Sequence, residues 1–332
     1  MKRLNIGIAV AALSLGIAQA QNPNLGTSGA QFLKIPVGAR ATALGGAFTS
    51  VGNDAGSIFW NPSGIVGVAN GEFCVSHTEW WAGSRLNHAA FVRSFGEVGT
   101  FGLSFTSLSM DKIEVTTEDQ PEGTGQTYDA QDLMIGITYA RTLIQDFSAG
   151  ITVKYVHQRI WNETASGPAV DIGTQYHIGY RDLTLGMSIT NFGGDLAFSG
   201  RDLNIDYSQN ALNSTERLLP SALQPEEYPL PLHFQVGLSM SPYQSDDFSV
   251  RLATDVIHPN DNKEVVAAGL EISIMQGFFL RGGYRFGDDT ARESFGMGAS
   301  IPTGDVRVNF DYAFVANTIL PSVHRFSLGI GF

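Results

Sequence analysis

The side chains able to do chemistry are sparse, and their spacing excludes more than it offers. Seven histidines, His77, His88, His157, His177, His233, His258 and His324, never fall at the H-x-x-x-H or H-E-x-x-H spacing that brings two imidazoles onto one metal. A single cysteine, Cys74, can neither close an internal disulfide nor build a thiolate metal site. There is no G-x-S-x-G nucleophile elbow and no glycine loop of the kind that cradles phosphate. The reading is therefore a non-enzyme with no cofactor and no metal. What recurs instead is a ladder of charges: Arg251, Asp255, Glu271, Arg281, Arg285, Arg307, Asp311 and Arg325, with Lys154 and Asp171 upstream. Each sits in a segment where every second residue is apolar. Such a ladder is either a set of ion pairs inside a wet interior or a path for a polar substrate. Arg40 stands apart, in an apolar stretch, and either pairs with a carboxylate such as Asp311 or Glu271 or meets an acidic headgroup.

The elements that carry these charges read as strands. Phe248, Val250, Leu252, Thr254 and Val256 alternate with Ser249, Arg251, Ala253 and Asp255. The same two-residue period sets Phe278, Leu280, Tyr284 and Phe286 against Phe279, Arg281, Gly283 and Arg285, and Val306 to Phe314 against Arg307, Asn309, Asp311 and Ala313. About fourteen such segments of roughly ten residues follow Gly71, the length that crosses a bilayer as a tilted strand. The chain ends on Phe326, Leu328, Ile330 and Phe332 alternating with Arg325, Ser327, Gly329 and Gly331. Connections near Gly96, Gln145, Tyr180, Ser245, Gln276 and Gly304 are short. Those at Ser109–Ala130, Gln158–Gly167 and Gly193–Leu230 read as long, and all would fall on one side, as in outer-membrane barrels. The fold class is thus all-β: an antiparallel transmembrane barrel of about fourteen strands.

Such a lumen is too wide for its own side chains to fill. Residues Gly26 to Val68 are the candidate filling. They are rich in Gly and Ala and carry Phe32, Leu33, Ile35, Leu44, Phe48, Ile58, Phe59 and Trp60, with no clean alternation. Too apolar for a disordered tail and too broken for a strand, the segment reads as an N-terminal lumenal plug. The organisation is 1–20 leader, 21–70 plug and 71–332 barrel. Lys2 and Arg3, the apolar run Ile6–Ile17 and the small-residue site Ala18-Gln19-Ala20 are the marks of a cleaved secretory signal. The composition agrees: of 332 residues only 16% are charged and 11% are aromatic, with 38 glycines. A net charge of −12 argues against nucleic acid as a partner.

The plug carries a recognisable signature. Phe32-Leu33-Lys34-Ile35, Gly38-Ala39-Arg40-Ala41, Leu44-Gly45-Gly46-Ala47-Phe48, Asn53-Asp54-Ala55 and Trp60-Asn61-Pro62-Ser63-Gly64 together resemble the N-terminus of the PorV/PorQ family. These are outer-membrane barrels related to the FadL long-chain fatty-acid transporters, whose hatch has a similar Asn-Pro-Ala-Gly turn; Ser63 here replaces the Ala. The resemblance implies an outer-membrane address. It also implies an accessory role in a type IX-like secretion pathway, with C-terminal signal domains of secreted cargo, or other secretion components, as partners. The alternative it carries is a FadL-like channel for hydrophobic small molecules. Gly38, Arg40, Gly45, Gly46, Asn61, Pro62 and Gly64 would hold or gate the plug, and Phe32, Leu33, Phe48, Phe59 and Trp60 would line an apolar ligand pocket. The outer loop would meet a partner through Leu203, Tyr207, Leu218, Leu219 and Tyr228. Trp80 and Trp81 are expected at the membrane interface.

Overall fold

The computed structural model describes residues 24–207, 219–275 and 277–332. The leader expected at 1–20, Leu218 of the outer loop and Gln276 lie outside the described residues, as does the side chain of Tyr207.

Alternation becomes strand wherever it was legible. In chain order the strands are β1 (Gly71–Glu79), β2 (Arg85–Ser94), β3 (Thr100–Ser109), β4 (Ala130–Ile144), β5 (Phe147–Ile160), β6 (Glu163–His177) and β7 (Thr184–Gly193). The second half adds β8 (His233–Gln244), β9 (Phe248–Pro259), β10 (Val265–Ile274), β11 (Phe278–Phe286), β12 (Ala291–Thr303), β13 (Val306–Asn317) and β14 (Val323–Gly331). Each pairs antiparallel with its sequence neighbours, and β1 pairs with β14, Val75 facing Leu328, to close a fourteen-stranded barrel. Closure pairs every strand on both sides, with a short break between β6 and β7, so that little sheet edge is left for hydrocarbon to meet.

The two faces of the wall differ as the alternation requires. Outward side chains are apolar and uncovered: Leu103, Ile137, Val153, Leu280 and Phe310 are all more than half exposed. Inward neighbours such as Ser104, Thr138 and Thr152 are small, polar and buried. A greasy belt of this extent is a lipid-facing surface.

The long connections 110–129 and 194–232 leave from one end of the barrel, and both chain termini of the sheet lie at the other. One expected long connection is absent. Between Gln158 and Gly167 the strands run on, Ile160 opposite Glu163, and only Trp161 and Asn162 turn. Trp161 takes a left-handed φ of 53°, the conformation that a two-residue hairpin demands. The polar run that reads as loop is a pair of strand ends.

Inside lies the segment that precedes β1. It forms a 3-10 turn at Gln31–Lys34, helix α1 at Ala39–Ala43, helix α2 at Ser57–Trp60 and a second 3-10 stretch at Pro62–Gly67. Gly45 and Gly46 end α1 with φ of 69° and 82°, left-handed values that side chains other than glycine resist. The Asn-Pro-Ser-Gly motif builds a helix start: the Asn61 side chain accepts from the Ser63 N–H and hydroxyl at 3.1 and 2.7 Å, and Pro62 needs no amide partner there.

Candidate functional site

The interior holds the inner segment on two sides by different means. On the β10–β13 side the contact is ionic. Arg40 donates from Nε and Nη2 to both oxygens of Glu271, each at 3.0 Å, and from Nη1 to Asp54 at 2.9 Å. Glu271 also accepts from Arg281 Nε at 2.7 Å, and Arg281 Nη1 donates to Asp311 at 2.6 Å. Burial alone would lower the Arg40 pKa, but Glu271 and Asp54 outweigh it and raise it further, so the guanidinium stays charged. Of the two carboxylates expected for Arg40, Glu271 takes it directly, and Asp311 serves it through Arg281.

Asp54 has a second task. Its Oδ1 accepts from the Ser57 amide and hydroxyl at 2.9 and 3.0 Å, which fixes the turn leading into α2. One carboxylate therefore ties the fold of the inner segment to its anchor. Asp255 does comparable work on β9: its Oδ2 accepts the backbone amides of Phe48 and Thr49 at 3.0 and 2.9 Å. Asn61 closes the β6 side, donating to the carbonyls of Thr49 and Thr174 at 2.7 and 3.1 Å. Wall glycines allow these approaches; a Cβ at Gly173 would collide with the Asn61 side chain, and one at Gly283 with the backbone of Gly45.

The charge ladder thus points inward throughout, but it is not one network. Arg251, Glu271, Arg281 and Asp311 join around Arg40. Arg285 pairs with Asp288 at 3.0 Å, Asp255 binds backbone, and Arg307 lines a chamber of about 290 Å³ beside Arg40. Lys154 pairs with Asp171 at 2.7 Å on the opposite wall.

On the β4–β6 side the contact is apolar. Phe32 and Leu33 pack with Ala30, Met134 of β4, Val156 of β5, and Ala165 and Ala169 of β6. The long connection after β7 supplies the rest, Leu196 and Leu230, with Phe198 and Tyr228 against them. The five apolar residues expected in one pocket are divided. Phe48 and Trp60, with Phe59 beside them, belong to a second cluster under β9 and β10. Tyr228, expected among the outer-loop contacts, turns inward: its ring lies on Gly29, and its hydroxyl donates to Gln158 Oε1 at 3.0 Å. Leu203 and Leu219 stay at the surface, and Leu219 is 49% exposed.

The wall beside this cluster is irregular. β6 pairs with β7 only from His177 up to Ala169, opposite Gly193. A register shift sits at Asn191, whose φ is 64° and whose amide donates to Asp171 at 2.7 Å. Beyond it, residues 165–168 of β6 have no ladder on that side; pairing resumes only at Thr164 with Ser199. Pro168 lies in the break and has no amide to donate. Leu196 fills the gap from within, touching the space over Gly167, and exchanges backbone bonds with Tyr228 at 2.9 Å each way. The sequence reading missed this feature. Its signal was Ser166-Gly167-Pro168, three poor strand formers in the middle of a strand.

At the loop end a cavity of about 510 Å³ opens over the Gln31–Ile35 turn, with Trp80, Trp81 and Arg325 on its wall. Lys34 at its edge holds Asp261 at 2.8 Å. Burial pushes the Asp261 carboxyl up, but Lys34 and Gln31 outweigh it and hold it below its ordinary value.

The architecture is shared with solved structures. The Ralstonia pickettii toluene transporter TbuX superposes with a TM-score of 0.55 at 12% identity, over 88% of this chain and 96% of that one. The Pseudomonas putida toluene transporter TodX gives 0.55 at 12% over 87% and 96%, and a Pseudomonas aeruginosa FadL homologue 0.54 at 9% over 89% and 98%. At such identities the likeness is one of fold. No curated protein matches the chain in sequence. A family model does: it covers residues 5–186, through the plug signature to the first part of β7, and the chain belongs to the uncharacterised protein family UPF0164.

Proposed function

We propose that this barrel is an outer-membrane channel for hydrophobic small molecules, with a route that leaves through its wall. The observation that carries the reading is the coincidence of the apolar cluster with the break at 165–168 of β6. A hydrophobic solute gains nothing from a polar lumen. It gains from a passage that is apolar and that opens toward lipid. The loop-end cavity borders one side of the Gln31–Lys34 turn, and the Phe32–Leu33 cluster lies on the other. Leu196 and Leu230 stand between that cluster and the gap. In the described arrangement they close it, so passage requires them to swing aside while the Arg40 anchor holds the plug. The fold likeness to channels whose names specify toluene and monoaromatic hydrocarbons supports the class of solute. Termini on the periplasmic side and long loops outside follow the usual barrel orientation.

The test is a lock. With Cys74→Ser as background, Gly167→Cys and Leu196→Cys place two thiols across the gap. Oxidation should abolish uptake of labelled toluene by cells that depend on this protein, and reduction should restore it. Uptake that ignores the lock would sink the wall route.

The plug signature favours a second reading, a PorV-like accessory for protein secretion. Leu219 and Leu223 are exposed on the excursion between β7 and β8, outside the apolar cluster, and offer a contact for a cargo domain. Recovery of secreted proteins sharing a C-terminal domain in a pull-down, lost on Leu219→Asp/Leu223→Asp, would support it over the channel.

A further inference from the structure

Three cations lie deeply buried among the described residues, and two have carboxylates: Lys154 with Asp171, and Arg281 with Glu271 and Asp311. Arg325 on β14 is the third and is 2% exposed. Its Nε donates to the Thr78 hydroxyl at 3.1 Å and its Nη1 to the Thr42 hydroxyl at 2.8 Å. Its guanidinium carbon stands 5.6 Å from the Trp80 ring centre. Hydroxyls and a ring face satisfy hydrogens without cancelling the charge, and a guanidinium has five N–H donors. A buried cation without a counter-ion is costly to folding, so its presence asks for a partner that arrives later.

The surroundings of Arg325 describe that partner. It lines the loop-end cavity of about 510 Å³. His233 lines the same cavity, and its buried Nε2 has no hydrogen-bond partner. Two polar groups with unmet capacity, one of them a fixed positive charge, thus face one space. Trp80, Trp81, Ile257, Val265, Val315 and Val323 give the wall its apolar part. The other charges of the lining are paired or exposed: Arg285 with Asp288 at 3.0 Å, Lys263 with Asp289 at 3.2 Å and Lys34 with Asp261 at 2.8 Å, with Arg292 and Glu293 exposed at the rim, so Arg325 is the one buried charge there that a carboxylate would meet. Arg40 is not a competing site, because Glu271 and Asp54 already neutralise it.

We infer that the loop-end cavity is a recognition site for a small monocarboxylic acid with a compact apolar body. Arg325 takes the carboxylate and the tryptophans cover the body, while His233, six strands away on β8, borders the far wall. The inference rests on the channel reading and narrows its solute from any hydrophobe to an amphipathic monoanion.

Benzoate and toluene test it, because they share a ring and differ by carboxylate against methyl. Binding is measured by equilibrium dialysis of each labelled compound against the full chain in lipid nanodiscs. The wild type should bind benzoate at least about 10-fold more tightly, the range of one charge-assisted hydrogen bond. Arg325→Met should lose that preference and keep its toluene affinity, while Arg325→Lys should keep part of it. Arg307→Met, away from this cavity, should change neither. Folding is checked by mobility on unboiled gels, where Arg325→Met should be at least as heat-resistant as the wild type. Equal binding of the two compounds by the wild type overturns the inference and leaves the channel reading standing. So does a benzoate preference that survives in Arg325→Met. Binding of neither compound overturns both.

Discussion

The two sides of the interior are held by opposite kinds of force, and in the proposed channel that contrast would separate anchor from moving part. Around Arg40 the bonds are directional, charged and reciprocal; removing one member strands the others. Around Phe32 the contacts are apolar and non-directional, and a side chain there can be exchanged for another of similar size at modest cost. The proposed channel would need both. The plug must stay, and something beside it must yield. The wall follows the same division, with a ladder across β10 to β14 that bulges only between Ala291 and Glu293, and an interrupted one where β6 leaves β7.

The sharpest way to break this contrast is at Glu271. Glu271→Ala leaves Arg40 and Arg281 facing each other without their shared carboxylate. Loss of one partner of a buried pair costs about 3–5 kcal/mol. The expected result is a large fall in the midpoint of urea unfolding in lipid vesicles. Glu271→Gln should sit close to the alanine variant, because charge rather than shape is what Arg40 requires. A fall of under about 1 kcal/mol would mean that the ionic side is not the anchor.

Next in size is the apolar side. Leu196→Ala removes a buried side chain and should cost about 2–3 kcal/mol, toward the low end for such cavities because lipid can enter the space. Its distinguishing mark is leakiness: uptake of toluene should rise while Glu271→Ala, if folded, leaves the wall route shut. Asn61→Ala falls between structure and gate. It takes one donor from the carbonyls of Thr49, which Gln175 also reaches at 3.1 Å, and Thr174, removes the acceptor of the Ser63 amide and hydroxyl, and should cost about 1–3 kcal/mol with no change in uptake.

Much of this was legible before any coordinates. The two-residue period around Arg251, Arg281 and Arg307 specified which side chains face the lumen, because in a strand parity alone decides the face. The Asn61-Pro62-Ser63-Gly64 stretch was legible as a turn motif, and the structure adds that Asn61 starts a helical turn there. What could not be read was partnership. Nothing in spacing says that Glu271 rather than Asp311 takes both nitrogens of Arg40, or that Asp255 spends itself on two backbone amides. Those choices depend on where a non-repeating segment settles in a round wall. The split of Phe32 and Leu33 from Phe48 and Trp60 is the same lesson: one stretch of sequence touches opposite sides of a barrel. Tyr228 was misplaced because a loop far from the plug in sequence folds back onto Gly29.

The smallest effect expected is also the one that tests the seam between the two sides. Lys34 belongs to the same 3-10 turn as Phe32 and Leu33, yet it is held by Asp261 rather than by the apolar cluster. Because the Asp261 carboxyl is held below its ordinary value of 3.8, the pair contributes stability above that value, and the contribution is lost as pH falls through the lowered one. Acidification from neutral to about pH 5 should therefore leave the turn in place, and only stronger acid should release it. Asp261→Asn should mimic strong acid at neutral pH. It should raise hydrogen exchange at Phe32 and Leu33 while the amides of Phe48 and Thr49, fixed by Asp255, stay protected. If instead both sets open together, the plug moves as one body, and the division into an anchored side and a yielding side fails.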